Sequence, residues 1–310
     1  MIRFLVAAVL VSGSVLARGA EPAQISDLGV RHSFLVCGAT TAIIGEDSKV
    51  VASFPYGTRD GFVLPDGHLL LAVSKSKEFP GGGIVEVTRD GKVLFSWKGT
   101  QSEVNSAQDV GHGHIVTTEA GPKPRLLEID RSGKVLVEFP LECQNKDAHM
   151  ETRMTRKLPD GTYLAPHLLD KAVKEYTAEG KVVREFKTPQ EDPKEAWPFT
   201  AIRLGNGNTL IGCTHGNMVI EVDKEGKEVW RITNADLPTP LLKDACGVQR
   251  LANGNTVITS YGAGKAEEVK MIEVTPAKKV VWMYKSGLPH GVHEFQILTT
   301  NGKEEAGAMK

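Results

Sequence analysis

The chain reads as an all-β protein, a six-bladed β-propeller of four-stranded blades whose ring is closed by N- and C-terminal strands sharing one blade. Three observations predict this. A hairpin signal returns six times, as FVLPDGH, AQDVGHGH, TRKLPDGT, IRLGNGNT, VQRLANGNT and FQILTTNG, with its glycine at Gly67, Gly113, Gly161, Gly207, Gly254 and Gly302. The intervals are 46, 48, 46, 47 and 48 residues, and self-similarity at a period of about 40–50 residues marks a propeller or a related array. A second hairpin follows each of the first five signals: IVEVTRDGKVLFSW, LLEIDRSGKVLVEF, VKEYTAEGKVVREF, VIEVDKEGKEVWRI and MIEVTPAKKVVWMY. The sixth signal stands eight residues before the C-terminus without that sequel, and the missing strands appear near the N-terminus.

Taken in chain order, each element has a local reason. Residues 1–20, MIRFLVAAVLVSGSVLARGA, carry Arg3, an apolar stretch interrupted around Ser12 and Ser14, and small residues near Ala17 and Ala20. This is the pattern of a secretory signal peptide, too short and broken for a lasting membrane span. The expected location is therefore secreted or periplasmic, and no later segment is apolar enough to cross a bilayer. SFLVCG and TAIIGEDSKVVASF, with the turn at Lys49, match the second, third and fourth strands of a blade. Each glycine hairpin then supplies a first and second strand. Its Asn-Gly or Asp-Gly pair, with His112-Gly113 as the exception, is expected to provide the positive φ angles of a type I′ turn. Each following hairpin flanks a charged turn with two strand-like runs. FQILTTNG begins the blade that the N-terminal strands complete, which removes two exposed sheet edges. The propeller is thus expected over residues 21–302, and the tail KEEAGAMK, 303–310, is expected to be flexible.

Charge and cysteine content narrow the field. Without residues 1–20 the chain has 35 basic and 38 acidic residues, a net charge of −3. That balance gives no basic footprint for nucleic acid. The unbroken period leaves no linker, so one closed domain and a monomer are expected. An oxidising compartment permits disulfides among the four cysteines. Cys37 and Cys213 fall in second strands two blades apart, beyond bridging distance. Cys246, entering the next blade, is the best partner for Cys213, the alternative being that both are small buried apolar residues.

Strand order also assigns every loop to a face. The glycine turns and the charged turns share the bottom face; second-to-third loops and the connections between blades share the top. His32, His68, His112 and His114 fall at bottom turns, whereas His149, His167, His215, His290 and His293 fall on top. His112-Gly-His114 reads as a solvated hairpin tip, since no cysteine or carboxylate pattern accompanies it. Residues leading into the innermost strands line the channel mouth, among them Arg59, Asp60, Asn105, Arg153, His293 and Glu294, and second-strand ends add Glu119, His167 and Tyr261. Together with His149, Glu151, His215 and His290 these are the candidate binding residues. Such a rim suits a small molecule, a glycan or a protein partner, although a water-filled channel needs polar lining too. An interaction scaffold working through its outer rim or bottom turns is the third possibility.

CGVQRLANGNTVITSYGAGKAEEVKMIEVTPAKKVVWMY and FTAIRLGNGNTLIGCTHGNMVIEVDKEGKEVWRI resemble the arylsulfotransferase-like and pyrroloquinoline-quinone-like propeller repeats of secreted bacterial proteins, and the strand phasing resembles NHL-type blades. HEFQILTTNG, from His293 to Gly302, resembles the arylsulfotransferase pattern in which a histidine and an acidic residue lead into a first strand. The resemblance implies a sulfuryl-accepting nucleophile at His293, oriented by Glu294, with His149, His167, His290, Arg59 and Arg153 holding sulfate charge. A histidine-dependent carbohydrate lyase or hydrolase is the other enzymatic reading, with His149 and Glu151 meeting His290 and His293 across the channel. No linear spacing has the strength of a zinc motif, and no cofactor is legible.

Overall fold

Six antiparallel sheets stand around a central channel as the blades of a propeller in the computed structural model, which describes residues 23–144, 147–191, 195–306 and 310. The signal peptide expected over residues 1–20 lies outside the described residues, and among those described no helix is long and apolar enough to cross a membrane. Blade one runs outward from Thr58–Val63 through Leu69–Val73 and Gly83–Val87 to Val93–Lys98. Blades two to five repeat that order. In blade six the innermost strand is Val292–Thr300, and His32–Gly38, Thr41–Ile44 and Val50–Phe54 follow it outward, so the two ends of the chain share the closing blade.

Three strands depart from the simple repeat. Ala23–Ile25 pairs with Val280–Lys285 as a fifth, outermost strand of blade five, anchored where Trp282 Nε1 donates to Gln24 Oε1 at 2.9 Å. Lys303–Glu304 pairs back onto Thr299–Thr300, so ordered sheet extends two residues past the boundary expected at 302. The innermost strand of blade two is split into Glu103–Val104 and Gln108–Asp109.

Four of the six glycine turns differ from the type I′ turns expected, whereas Asn301-Gly302 has the two positive φ angles, +49° and +76°, that type I′ needs. All six glycines have φ between +76° and +88°, but Asp66, Asp160, Asn206 and Asn253 do not share the positive φ that type I′ requires. Pro65 and Pro159 stand at the first central position of two of these turns, where a φ near −65° suits type I. The four turns are instead type I turns closed by a left-handed glycine: Gly67 N donates to Leu64 O at 2.8 Å and Leu64 N to His68 O at 2.8 Å, with the same pairs at Leu158, Leu204 and Leu251. The Asp or Asn remains essential, since its side-chain oxygen accepts the N–H two residues on, as from His68, Thr162, Asn208 and Asn255.

Five successive blade junctions are bridged by buried contacts between a glutamate and a basic side chain, which hydrophobic patterning does not reveal. Glu86, Glu128, Glu175, Glu221 and Glu273 occupy one register of the third strands, and all are buried. Each meets a basic group of the next blade: Arg131 at 2.9 Å, Lys157 at 2.7 Å, Arg203 at 2.7 Å, Arg250 at 2.8 Å and His32 at 2.9 Å. Burial pushes the Glu221 carboxyl up, but hydrogen bonds from Asn208 and Arg250 outweigh it and hold the group below the usual range. Its contribution is therefore complete above the unfolded carboxylate pKa of about 4.3 and is lost as the pH falls through the lower folded value. Glu221→Ala is expected to lose about 2 kcal/mol at neutral pH, a partial cost because Arg250 keeps some solvent access. Urea midpoints at neutral pH and near pH 3 check this; an equal loss at both would exclude the ion pair as the cause.

The apolar core lies between blades. Phe34, Trp282, Tyr284 and Phe295 pack one such layer between blades five and six. Cys213 and Cys246 are both free and buried, so the bridge between them is not formed. They serve as the small apolar residues of the alternative reading, Cys213 in the layer around Ile211 and Cys246 against Met154 and Phe199.

Candidate functional site

One recurrent backbone feature builds the channel mouth. At the top of the innermost strand, blades one, four and six each carry a register shift that leaves one residue unpaired: Arg59, Phe199 and His293; blade five shifts at Cys246 and Gly247. A β-bulge re-aims the side chain of its extra residue. The bulged residue turns to the mouth and its successor turns down into the channel. Arg59, Phe199 and His293 accordingly line a cavity of about 290 Å³ with His149, Arg153, Trp197, His215 and Tyr261.

The floor of this cavity is cationic. Arg153 is 2% exposed, its Nη1 donates to Thr152 O at 2.7 Å and its Nη2 to His149 O, and its Nε is buried with no partner. No carboxylate of the described residues pairs with it. Burial, then the neighbouring Arg59, lowers its pKa to about 10, which leaves it charged at neutral pH. Arg59 Nη2 lies 3.4 Å from Glu103 Oε2 and 3.3 Å from His149 Nδ1, and that nitrogen lies 3.1 Å from Glu103 Oε1. His149 Nδ1 cannot accept from Arg59 and donate to Glu103 together, so the tautomer with hydrogen on Nδ1 selects the carboxylate. Burial raises the Glu103 carboxyl, but His149 and Arg59 more than offset this and bring it down to about 2.

Aromatic rings form the walls. His293 is stacked between Tyr261, with centroids 4.0 Å apart, and Phe199, at 6.0 Å, while Trp197 stacks on His215 at 4.2 Å. The Arg153 guanidinium lies 5.6 Å from the Phe199 centroid. His215 sits in a tight top turn at φ +61°, held by its N–H donating to Asp244 Oδ1 at 3.0 Å. His293 Nδ1 is buried without a partner.

Burial first, then Arg59 and Arg153, hold the His293 imidazole down at about 3. The unfolded chain takes up that proton near pH 6.5 and the folded chain does not, so stability falls as the pH drops from about 6.5 toward 3. His293→Gln removes this contribution and is expected to flatten stability against pH over that window. Parallel pH profiles of the urea midpoint for the two proteins would refute the assignment.

The remaining candidates lie elsewhere. Asp60 points into the channel, where Arg156 grips it at 2.7 and 3.0 Å. Glu294 is also a channel residue: it accepts from Thr200 Oγ1 at 2.8 Å and from Phe295 N at 3.1 Å, so it does not orient His293. Strand alternation below the bulge sends the two side chains apart. Asn105 Nδ2 donates to Thr152 O at 3.0 Å, and Glu151 accepts from Gly121 N at 2.9 Å. Glu119 pairs with Arg125 on the outer side of blade two. His167 is buried against Tyr176 OH at 2.8 Å and Cys143 Sγ at 3.4 Å, and His290 meets Thr40 Oγ1 at 3.0 Å. His149 with Glu151 and His290 with His293 therefore do not assemble a shared site. Glu103, Trp197 and Asp244 belong to the mouth or its edge but were not among the expected residues. Glu103 is swung there by the break in the innermost strand of blade two, which the spacing of the glycine turns does not signal, the interval that contains it being 46 residues.

A family model described as Mal s 1 allergenic protein-like matches residues 85–240, half of the chain. The chain belongs to this family. For the Mal s 1-like chain the matched family is thus a different one from the arylsulfotransferase-like and quinone-like repeats that its hairpins resemble. No curated protein matches it. Among solved structures it is similar to a protein of unknown function from Bacteroides caccae, 22% identical, over 86% of this chain and 98% of that one, with a TM-score of 0.73. It is also similar to virginiamycin B lyase from Staphylococcus aureus, 17% identical, over 93% and 97% of the two chains, with a TM-score of 0.60. A streptogramin B lyase structure is 13% identical, over 84% and 87%, with a TM-score of 0.58. These likenesses establish the shared propeller fold of the Mal s 1-like chain.

Proposed function

We propose that this protein binds a small anionic molecule carrying a planar ring at the top-face mouth of its channel. The observation that carries this reading is Arg153, a buried guanidinium with a free Nε and no carboxylate partner among the described residues, at the floor of an aromatic-walled cavity. A buried charge is costly unless paired, and an oxyanion bound by Arg153 and Arg59 supplies the pair. The flat faces of Tyr261 and Trp197 suit a ring. Residues 1–20 add an expectation of export, which N-terminal sequencing of the mature protein tests.

Calorimetric titration with benzoate and phenyl phosphate, against benzyl alcohol and phenol, tests the reading. Saturable one-to-one binding of the anions, at least about tenfold tighter than the neutral analogues, is the expected result. Equal affinity for charged and neutral ligands, or no binding of either anion, overturns it. Tyr261→Ala is expected to weaken phenyl phosphate more than inorganic phosphate.

A second reading, elimination chemistry at the same mouth, draws on one observation: His293 is a neutral imidazole with an unpartnered Nδ1 beside two guanidiniums. A base beside anion-stabilising groups is what proton abstraction next to a carbonyl requires. Two of the structural neighbours are lyases of streptogramin B type, and a catalytically inactive histidine-to-alanine variant of one was solved with quinupristin. Incubation with quinupristin, followed by chromatography and tandem mass spectrometry with wild type and His293→Ala, decides it: conversion by neither protein removes this reading for that substrate.

A further inference from the structure

At the other end of the channel a cation is held by groups that the blade architecture leaves in place without it. The Lys310 ammonium donates to Gly61 O, lies 3.5 Å from Asp60 Oδ1 and stands 3.8 Å from the centroid of the Phe62 ring; its side chain is 4% exposed. A carboxylate, a carbonyl and an aromatic face around one nitrogen are the three kinds of partner that a primary ammonium takes, the first two by hydrogen bonds and the third by cation–π attraction. Consecutive residues of the innermost strand of blade one supply all three.

Lys310 acts here as an occupant, since the wall around it is complete on its own. Asp60 already has both oxygens bound by Arg156, at 2.7 and 3.0 Å, and a further bond from Ala107 N at 3.2 Å. Phe62 is covered on another side by the Arg156 guanidinium, 4.9 Å from its centroid. Glu294 is fully buried in the same channel, where burial pushes its carboxyl up, so Asp60 is the carboxylate that faces the ammonium. With Lys310 withdrawn, the Gly61 carbonyl loses its donor and the Phe62 face its cation, while Asp60 stays in place, held by Arg156. On the bottom face Glu304, Glu305 and Ala306 line one groove with Val63 and Gln296.

We propose that the lower channel is a binding site for a primary alkylammonium group, filled in this chain by its own Lys310. An alkylamine of similar length competes for the same three partners once Lys310 is removed.

Thermal unfolding of the full chain and of Lys310→Ala, each in n-butylammonium, tetramethylammonium or sodium chloride at equal ionic strength, tests the proposal. Lys310→Ala is expected to gain about 3 °C in Tm from n-butylammonium at tenfold its Kd, by linkage to binding of the folded state. Tetramethylammonium, which has no N–H to donate, and sodium are expected to leave it unchanged, and the wild type should respond to none of the three. Saturation-transfer NMR on n-butylammonium gives a second readout that does not depend on stability. Adding Phe62→Leu to Lys310→Ala removes the ring while keeping the Asp60–Arg156 pair, and is expected to weaken n-butylammonium binding several-fold. An identical response of wild type and Lys310→Ala, or equal effects of butylammonium and tetramethylammonium, overturns the proposal.

Discussion

Asp60→Ala is expected to destabilise the ring by about 3–5 kcal/mol, the range for removing one partner of a buried ion pair. Asp60 has no exposed surface and the Arg156 side chain only 3%, and two hydrogen bonds join them across the channel from blade one to blade three. Alanine leaves the Arg156 guanidinium, and the Lys310 ammonium beside it, in the channel without the carboxylate. It also orphans the Ala107 N–H of blade two, which donates to Asp60 at 3.2 Å. Three blades lose a shared partner in one substitution. Urea unfolding reads the loss, and a change under about 1 kcal/mol would mean that water reaches the channel and screens the charges. The double variant Asp60→Leu/Arg156→Met separates charge from packing. If the single variant suffers chiefly from the stranded cation, the apolar pair should recover most of the loss, as volume-matched apolar replacements of buried ion pairs do.

Arg153→Met should act in the opposite sense on stability and on binding. The side chains have similar length, and the guanidinium it removes is buried, lacks a carboxylate partner and has an unbonded Nε. Folding should therefore be unaffected or modestly strengthened, since two hydrogen bonds to carbonyls are lost while the burial of a charge is relieved. Anion binding should weaken about 30- to 100-fold, which corresponds to about 2–3 kcal/mol for charge-assisted hydrogen bonds. A residue kept at a cost to folding and needed for a ligand is the signature of a binding group. Should the variant lose stability and retain its affinity for benzoate and phenyl phosphate, Arg153 is a structural residue and the anion reading fails.

The two predictions concern residues that the repeat had placed side by side with their neighbours, yet only one of each adjacent pair reaches the mouth. Arg59 and Asp60, and likewise His293 and Glu294, stand at one aligned position of the repeat, and the sequence offers no means of separating them. The bulges above Asp60 and Glu294 separate them, sending the first of each pair upward and the second into the channel. A bulge is a one-residue mismatch between paired strands, so it becomes visible only when the register of both strands is known. His167 and His215 show the same limit. Both follow second strands on the top face, but His167 is buried under Cys143 and Tyr176 while His215, in its left-handed turn, stacks on Trp197 at the rim.

The period of the glycine turns was enough to determine the number of blades, the strand order within each, the sharing of the closing blade and the face on which every loop lies. These follow from local chemistry repeated at a constant interval: a left-handed glycine, an Asp or Asn bonded to its own backbone, and alternating apolar runs. The repeat already set Arg59, Arg153, His149, Tyr261 and His293 on the mouth side of the ring; which of the wider set of rim candidates share one cavity, the stacking of its rings, the pairing of Asp60 with Arg156 and the ammonium site around Lys310 were decided by tertiary structure. Their partners lie on different blades, and where two side chains meet across a channel depends on bulges, on a split strand and on the charge left unpaired after packing, none of which has a signature within one repeat.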